Sequence, residues 1–410
     1  MPHIVSKKKT LLIVIWLITI AYYMYTRMLS TSISALSIPL ENTIGFSSVE
    51  VAVAISAYGM AMLVMKIPVG ILVDRYGIDK PLVIAMLITL IGTVLFAFPI
   101  NQTTLVCSRF IIGVGASFAM MSAYRLTSIV LSKRLFALAT GIIYFCGSFA
   151  VSLSGAPLNQ AVEVFAYQDI VLLMATILFV IWFVYLLSLS FHGPLPKNEA
   201  IRSFKDYFVG LGSIVKDRQI IFTILYASLF TCVFFNTIGY WGNTILLNTK
   251  LPSSVNAGLV GNSIASFASG IMSIVVGLMI SLQWLRRSHL VISSILSTIA
   301  IVIMFYTPIV NMPILIICSC LFGIGFGYTG IAFDTVNKRN QNYLVSALSL
   351  LFFIEYVLNT ALNPLVAYIK QTLQTNDMTT ATSYQIAYGI FLGLMIIANI
   401  LSFYIKPQKV

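Results

Sequence analysis

Six ionisable side chains interrupt long apolar stretches of this chain: Arg27, Lys66, Arg109, Arg125, Asp334 and Glu355. A charge at the centre of a membrane helix costs roughly 2.5–3.5 kcal/mol even on insertion scales, so each is a candidate functional residue. Four are cationic and two acidic, a balance that favours an anionic ligand electrostatically. Arg27 stands 18 residues after Lys9 and 14 before Glu41, too deep to snorkel easily to either surface. It is the leading anion-binding candidate; the plainer alternative is an arginine fixed to the backbone carbonyls of a neighbouring helix. Lys66 lies eight residues before Asp74 and Arg125 eight before Lys133, each about 12 Å from a helix end at 1.5 Å per residue. Partial snorkelling and cavity contact are both open to these two.

The acids differ in setting. Asp334 is one turn before Lys338 and Arg339, which reads as a solvated ion pair at the membrane surface, with proton coupling as its second role. Glu355 sits mid-helix with Asn359 and Asn363 one and two turns on, so three polar groups share one face of an apolar helix. Desolvation disfavours a charged carboxylate there, the behaviour wanted of a proton carrier. The plainer role for Glu355 is permanent neutralisation of Lys66 or an arginine. Asn236, Tyr240 and Trp241 are candidate substrate contacts from the second half of the chain.

Other signals fade. Gly325-Phe326-Gly327-Tyr328-Thr329-Gly330 spells G-x-G-x-x-G inside an apolar helix with no preceding strand, where small-residue helix packing explains it better than a dinucleotide. The cysteines at 107, 146, 232, 318 and 320 lie in apolar spans without metal-ligand spacing and read as small core residues. No phosphate-binding G-x-x-x-x-G-K-[ST] loop occurs. No metal, cofactor or catalytic group is expected, and the chain is not expected to be an enzyme.

The elements that must position these residues are membrane helices. With 59% hydrophobic and 9% charged residues and a mean hydropathy of +0.97, the 410-residue chain is too apolar for a soluble globule. Apolar runs of about 20 residues predict twelve all-α spans. They fall near 11–38, 47–72, 81–99, 104–131, 135–158, 168–191, 219–247, 255–281, 289–306, 313–336, 343–369 and 385–405. The net charge of +12 sits in alternate connections, which argues against a nucleic-acid partner. One side holds Lys7 to Lys9, Arg75, Lys80, Lys133, Arg134, the basic run from Lys197 to Arg218, Arg286, Arg287, Lys338, Arg339, Lys406 and Lys409. The other holds only Lys250 and Lys370. The positive-inside rule then puts both termini in the cytoplasm. The first span is too long for a cleaved signal and carries Arg27 where a cleavage site would be.

A polar connection over 192–218 divides residues 1–191 from 219–410, six helices each, and the halves echo one another. Gly70-Ile71-Leu72-Val73-Asp74 aligns with Gly277-Leu278-Met279-Ile280-Ser281, and Gly113-Val114-Gly115 with Gly323-Ile324-Gly325. Such repeats place a substrate site near the midplane and imply alternating access.

The stretch Gly70-Ile71-Leu72-Val73-Asp74-Arg75-Tyr76-Gly77-Ile78-Asp79-Lys80 resembles the polar hinge between the second and third helices of the major facilitator superfamily, with Ile78 and Asp79 replacing usual basic residues. The resemblance implies that Gly70, Asp74, Arg75, Gly77 and Lys80 gate the two halves. It gives Arg109, a widespread arginine of the fourth helix, a structural or gating role alongside substrate contact. Because Ser281 is neutral, the latch is expected in the first half alone. Tyr22 to Arg27, Ile67 to Gly77, Arg109 to Ser117 and Arg134 to Leu138 are similar to the bacterial anion:cation symporter branch, and more so to phagosomal nutrient transporters of intracellular bacteria. Relatives there commonly carry glutamine where this chain has Lys66.

The expectation is therefore a monomeric, multi-pass transporter of the bacterial inner membrane. It would import a small anionic organic solute, an amino acid, carboxylate or polycarboxylate siderophore, with protons as coupling ion. A multidrug or siderophore exporter is the first alternative, disfavoured by the sparse glycine and proline of the fifth span, Gly147 and Gly155-Ala156-Pro157. A non-transporting sensor or assembly factor is the second.

Overall fold

Lipid offers backbone amides no hydrogen-bond partner, so apolar runs of this length close their bonds internally as helices. The computed structural model describes residues 2–154, 156–195, 204–241, 245–246, 257–307, 311–376 and 378–406. Twelve of its helices are long and apolar enough to cross a membrane. In chain order the first six are α1 (Pro2–Pro39), α2 (Ser48–Tyr76), α3 (Asp79–Ala97), α4 (Gln102–Val130), α5 (Lys133–Leu153) and α6 (Tyr167–His192). The next six are α7 (Arg218–Asn236), α8 (Ala257–Ser281), α9 (Arg287–Tyr306), α10 (Met312–Gly327), α11 (Leu344–Thr375) and α12 (Thr380–Ser402). A 3₁₀ turn, Tyr328–Gly330, and the segment Ile331–Arg339 prolong α10. Shorter helices occupy Ala156–Val164 and Phe204–Lys216.

The boundaries differ from expectation in instructive places. α2 runs on to Tyr76 rather than ending at 72, so the polar hinge shrinks to Gly77 and Ile78. Nothing from Leu72 to Tyr76 opposes a helix, and Arg75 suits the negative end of the helix dipole. Gly77 makes the turn at φ 83, a conformation that favours glycine. α7 loses α geometry after Asn236 and continues as a π-turn, Thr237–Trp241; α1 ends the same way in a π-turn, Leu40–Ile44, closed by left-handed Gly45. α5 stops at Leu153 rather than 158. Gly155 of the expected fifth-span motif lies outside the described residues.

The chain forms two compact units. The first comprises Met1–Ser132, Cys146–Leu211 and Asn342–Ser349; the second comprises Lys133–Phe145, Gly212–Gln341 and Leu350–Val410. The start of α5 thus belongs to the second unit and the start of α11 to the first.

Each unit uses the same packing plan. In the first, α4 packs on α1, α2 and α3, and α6 packs on α1 and α3. In the second, α10 and its continuation pack on α7, α8 and α9, and α12 packs on α7 and α9. The aligned glycines explain the close approach. A Cβ on Gly115 would meet the Ala85 carbonyl and the Thr89 amide nitrogen of α3, the latter at 2.8 Å. One on Gly325 would meet Ser297 and, at 2.9 Å, the Ser293 carbonyl of α9. Gly325 is therefore a helix-packing residue. The Tyr22 hydroxyl of α1 donates to the Gly115 carbonyl at 3.0 Å and bonds Thr89 at 2.8 Å, tying three helices at one point. In the second unit Phe234 stacks on Phe326 with ring centroids 3.9 Å apart.

Asp217 caps α7 through the amides of Gln219 and Ile220 and accepts from Arg339 Nη1 at 2.6 Å. Burial pushes this carboxyl up, but the Arg339 bond and the two amides outweigh it and hold it below its ordinary value.

Gly115→Ala should force α3 and α4 apart at a cost of about 1–3 kcal/mol. Gly330→Ala, where a Cβ has nothing within 4 Å, should be neutral. Thermal unfolding in detergent separates the two, and equal midpoints would contradict the packing account.

Candidate functional site

In the first unit, α1, α2 and α4 carry the cations, and they fall into different environments. Arg109 is completely buried, donating from Nη1 to the Leu29 carbonyl at 3.1 Å and from Nη2 to the Ser30 carbonyl at 3.3 Å. Its guanidinium also lies over the rings of Tyr58, at 5.0 Å, and Phe96, at 5.3 Å. Such charge-assisted bonds contribute roughly 1.5–3 kcal/mol each, and a desolvated cation–π contact about 2. Arg109 is thus a backbone-anchored arginine of the kind set out as the plainer reading of Arg27. Arg27, one turn from the carbonyls that Arg109 occupies, is half-buried, and its charge acts on the hydroxyls of Tyr58 and Tyr23.

Lys66 and Arg125 do not snorkel. They are 3% and 9% exposed, so neither charge reaches a surface. Arg125 lies within electrostatic reach of Asp74, which is itself fully buried. Asp74 Oδ2 accepts from the backbone N–H and the hydroxyl of Ser346 at 3.2 and 2.6 Å. Ser346 is in the first turn of α11, so a carboxylate meets the positive end of a helix. Gly70 is buried beside it; Arg75 and Lys80 are exposed, Arg75 stacking over Tyr76 at 5.1 Å.

The counterpart of Asp74 has a contact of its own. Ser281 Oγ donates to the Arg134 carbonyl at 2.7 Å, and Arg134 Nε donates to the Ser281 carbonyl at 3.0 Å. Neutral Ser281 thus has a helix-end contact of its own, beside the one that Asp74 makes. A cation on the start of α5 meets the last residue of α8, the negative end of that helix.

In the second unit, residues that are far apart in sequence share one hydrogen-bonded ladder. Asn359 Nδ2 donates to Glu355 Oε1 at 3.5 Å, while Asn359 Oδ1 accepts from Asn236 Nδ2 and, at 3.3 Å, from the Cys232 thiol. Asn363 Nδ2 donates to the Asn359 carbonyl at 3.0 Å, and its Oδ1 accepts from Trp241 Nε1 at 2.7 Å. The π-turn of α7 brings Trp241 onto the same face of α11 as Asn236. Glu355, a member of this ladder through Asn359, is buried. The side chain of Tyr240 lies outside the described residues.

Asp334 departs from expectation. It pairs with Lys338 at 2.8 Å, but both side chains are buried, because α10's continuation packs on α7 rather than facing water. Its Oδ1 and both amide atoms of Asn337 have no hydrogen-bond partner among the described residues. Sequence reasoning missed Tyr58, Cys232 and Ser346. Cys232 reads as core from its apolar span, and no local pattern links Ser346 to a carboxylate 272 positions away.

The Major Facilitator Superfamily profile matches residues 11–341. The chain belongs to this superfamily. Its structure is similar to the E. coli fucose:proton symporter FucP, with a TM-score of 0.68 at 12% identity, covering 97% of this chain and 99% of that one. A FucP structure in the outward conformation gives 0.66 at 12% identity, covering 97% and 100%. Weaker sequence likeness reaches an uncharacterized transporter of Buchnera aphidicola subsp. Schizaphis graminum, 27% identical over 156 residues, 38% of each chain. The uncharacterized transporter YybO of Bacillus subtilis is 27% identical over 127 residues, 31% of this chain and 29% of that one. These alignments span well under half of either relative. This superfamily member, with twelve helices long and apolar enough to cross a membrane, is a multi-pass membrane transporter.

If the Asp74 contact is conformational, Asp74→Asn should slow net transport severalfold while substrate still protects the protein against heat, because a ligand-independent bias between states removes no substrate contact. Loss of thermal protection would place Asp74 in the binding site instead.

Proposed function

We propose that this carrier imports a small anionic organic solute, an amino acid, a carboxylate or a polycarboxylate siderophore, together with protons. The observation that carries the reading is the ladder that includes Glu355. A buried carboxyl held by an asparagine amide in mid-helix is costly to keep charged, and it loses and regains a proton as its surroundings alternate between wet and dry. The fold's capacity for such coupling is illustrated by FucP, described as a fucose:proton symporter.

Arg27 binds the anion. It lies half-buried one turn from the carbonyls that hold Arg109, and its planar fork suits a carboxylate. Lys66 and Arg125 add positive potential, and their burial favours a cavity role over surface-seeking. Asn236, Tyr240 and Trp241 supply polar and aromatic contacts from α7, while Asp334, buried with Lys338, is the second proton candidate. Arg109 pins α1 to α4 near Arg27. Residues 1–191 and 219–410 act as the two rocking halves joined through 192–218, with both termini cytoplasmic and the chain working as a monomer. Asp74, with Gly70, Arg75, Gly77 and Lys80, forms one latch of the inward face, and Arg134 with Ser281 forms its counterpart.

Uptake by a deletion strain complemented with variants tests both assignments. Arg27→Ala should abolish substrate binding at near-normal protein level, and Arg27→Lys should rescue poorly because bidentate recognition is lost. Wild-type uptake by Arg27→Ala would refute the anion site, and substrate accumulating inside the deletion strain would point to export.

Glu355→Gln preserves shape and hydrogen bonding but cannot release a proton. It should lose accumulation against a gradient while retaining exchange of substrate between the two sides. Accumulation that survives and still follows external pH would make Glu355 structural.

A further inference from the structure

The helix Phe204–Lys216 connects α6 to α7 and is apolar on two faces. Gly210, Leu211 and Ile214 lie toward the protein. Ile214 is fully buried, Leu211 packs against Ile71 as Ile67 and Tyr343 do, and Gly210 abuts the Tyr343 ring. Across the helix, Phe208, Val209, Gly212, Val215 and Lys216 fall within an arc of about 120° at 3.6 residues per turn. On this arc Phe208, Val209 and Val215 are 56%, 60% and 54% exposed. Three large apolar side chains on one side of a short helix are not left in water without cause.

The depth of the helix says what covers them. Ile71 is five residues before the end of the α2 span at Tyr76, about 7.5 Å inside it. A helix whose inner face packs against Ile71 lies at the level of the headgroups and first acyl carbons, not out in solution. An interfacial amphipathic helix buries its apolar face about 5–10 Å into that boundary. Lys216 and Arg218 are exposed at its end, where cations meet lipid phosphates.

We propose that Phe204–Lys216 is a membrane-interface anchor. Its outer face, Phe208, Val209 and Val215, is inserted into the adjacent leaflet, and Lys216 and Arg218 engage anionic headgroups. The connection between the two groups of six helices then rides on the bilayer surface. This assignment is independent of what the carrier transports.

A spin label at Val209→Cys, in a background with the five cysteines replaced and reconstituted into phosphatidylcholine–phosphatidylglycerol nanodiscs, reads the environment directly. Collision with oxygen should exceed collision with a neutral nickel chelate and approach that of a label at Leu173→Cys, which is 61% exposed on the spanning helix α6. A label at Lys80→Cys, exposed in the first turn of α3, supplies the aqueous reference. Nickel accessibility at Val209 equal to that at Lys80 would overturn the proposal. A second measurement keeps the native cysteines. A photoreactive phenylalanine analogue at position 209 should yield phospholipid adducts in native membranes, phosphatidylglycerol enriched over its share of the bilayer. Adducts to another protein in their place would overturn it as well.

Discussion

Inside a bilayer a charged side chain cannot borrow water, so what protein atoms offer each ionisable group in these spans separates structure from function. Arg109 is met by two carbonyls and two aromatic rings, with only its Nε lacking a hydrogen-bond partner among the described residues. Asp74 is met by the start of α11, a partner whose amides point along a helix axis and whose separation would expose the carboxylate again. Lys338 and Asp334 answer each other, but one carboxylate oxygen and a neighbouring asparagine stay unpaired among the described residues, an arrangement that costs roughly 1–3 kcal/mol per orphaned group unless water fills it. Buried polar groups that are only partly satisfied are where a carrier can change state cheaply.

The duplication of the packing plan makes the differences between copies interpretable. Both copies bring glycine on the fourth helix of the set onto a hydroxyl-bearing residue of the third, Gly115 on Thr89 and Gly325 on Ser297. The helix-end contacts keep the geometry but invert the charge. In one copy an anion meets a helix N-terminus; in the other a cation meets a helix C-terminus. Both use the same dipole physics, so the acidic residue of the first copy is replaceable by a basic residue placed on the opposite partner.

Much of the fold is legible in the sequence because span length and hydropathy are properties of local runs. Twelve apolar stretches give twelve helices, and the errors gather at ends where no strong breaker stands, as at Leu72 to Tyr76 and beyond 369. The candidate site is legible one helix face at a time: Glu355, Asn359 and Asn363 share a face by spacing alone. What joins that face to Asn236, Cys232 and Trp241 is a tertiary contact, and periodicity carries no information about it. The same holds for Asp74 with Ser346. Depth is left open for Lys66 and Arg125 and misjudged for Asp334 for a related reason, since counting residues to the nearest loop cannot tell whether a neighbouring helix has already covered the side chain.

The π-turns show how such a contact is made. α1 and α7 occupy equivalent places in the two copies, and both leave α geometry in their last turn, at Leu40–Ile44 and Thr237–Trp241. A π-turn takes an extra residue per turn and rotates the helix face beyond it, a feature seen mostly at functional sites. In α7 the rotation matters because Asn236 and Trp241, five positions apart, both reach α11. In regular α geometry residues five apart are turned by about 140° and point to different neighbours. The irregular turn reduces that angle, so one residue grips Asn359 and the other Asn363. The ladder that includes Glu355 therefore depends on α7 being irregular where it is, and any movement that restored the regular turn would pull Trp241 from Asn363 and loosen the asparagine face on which the carboxyl rests.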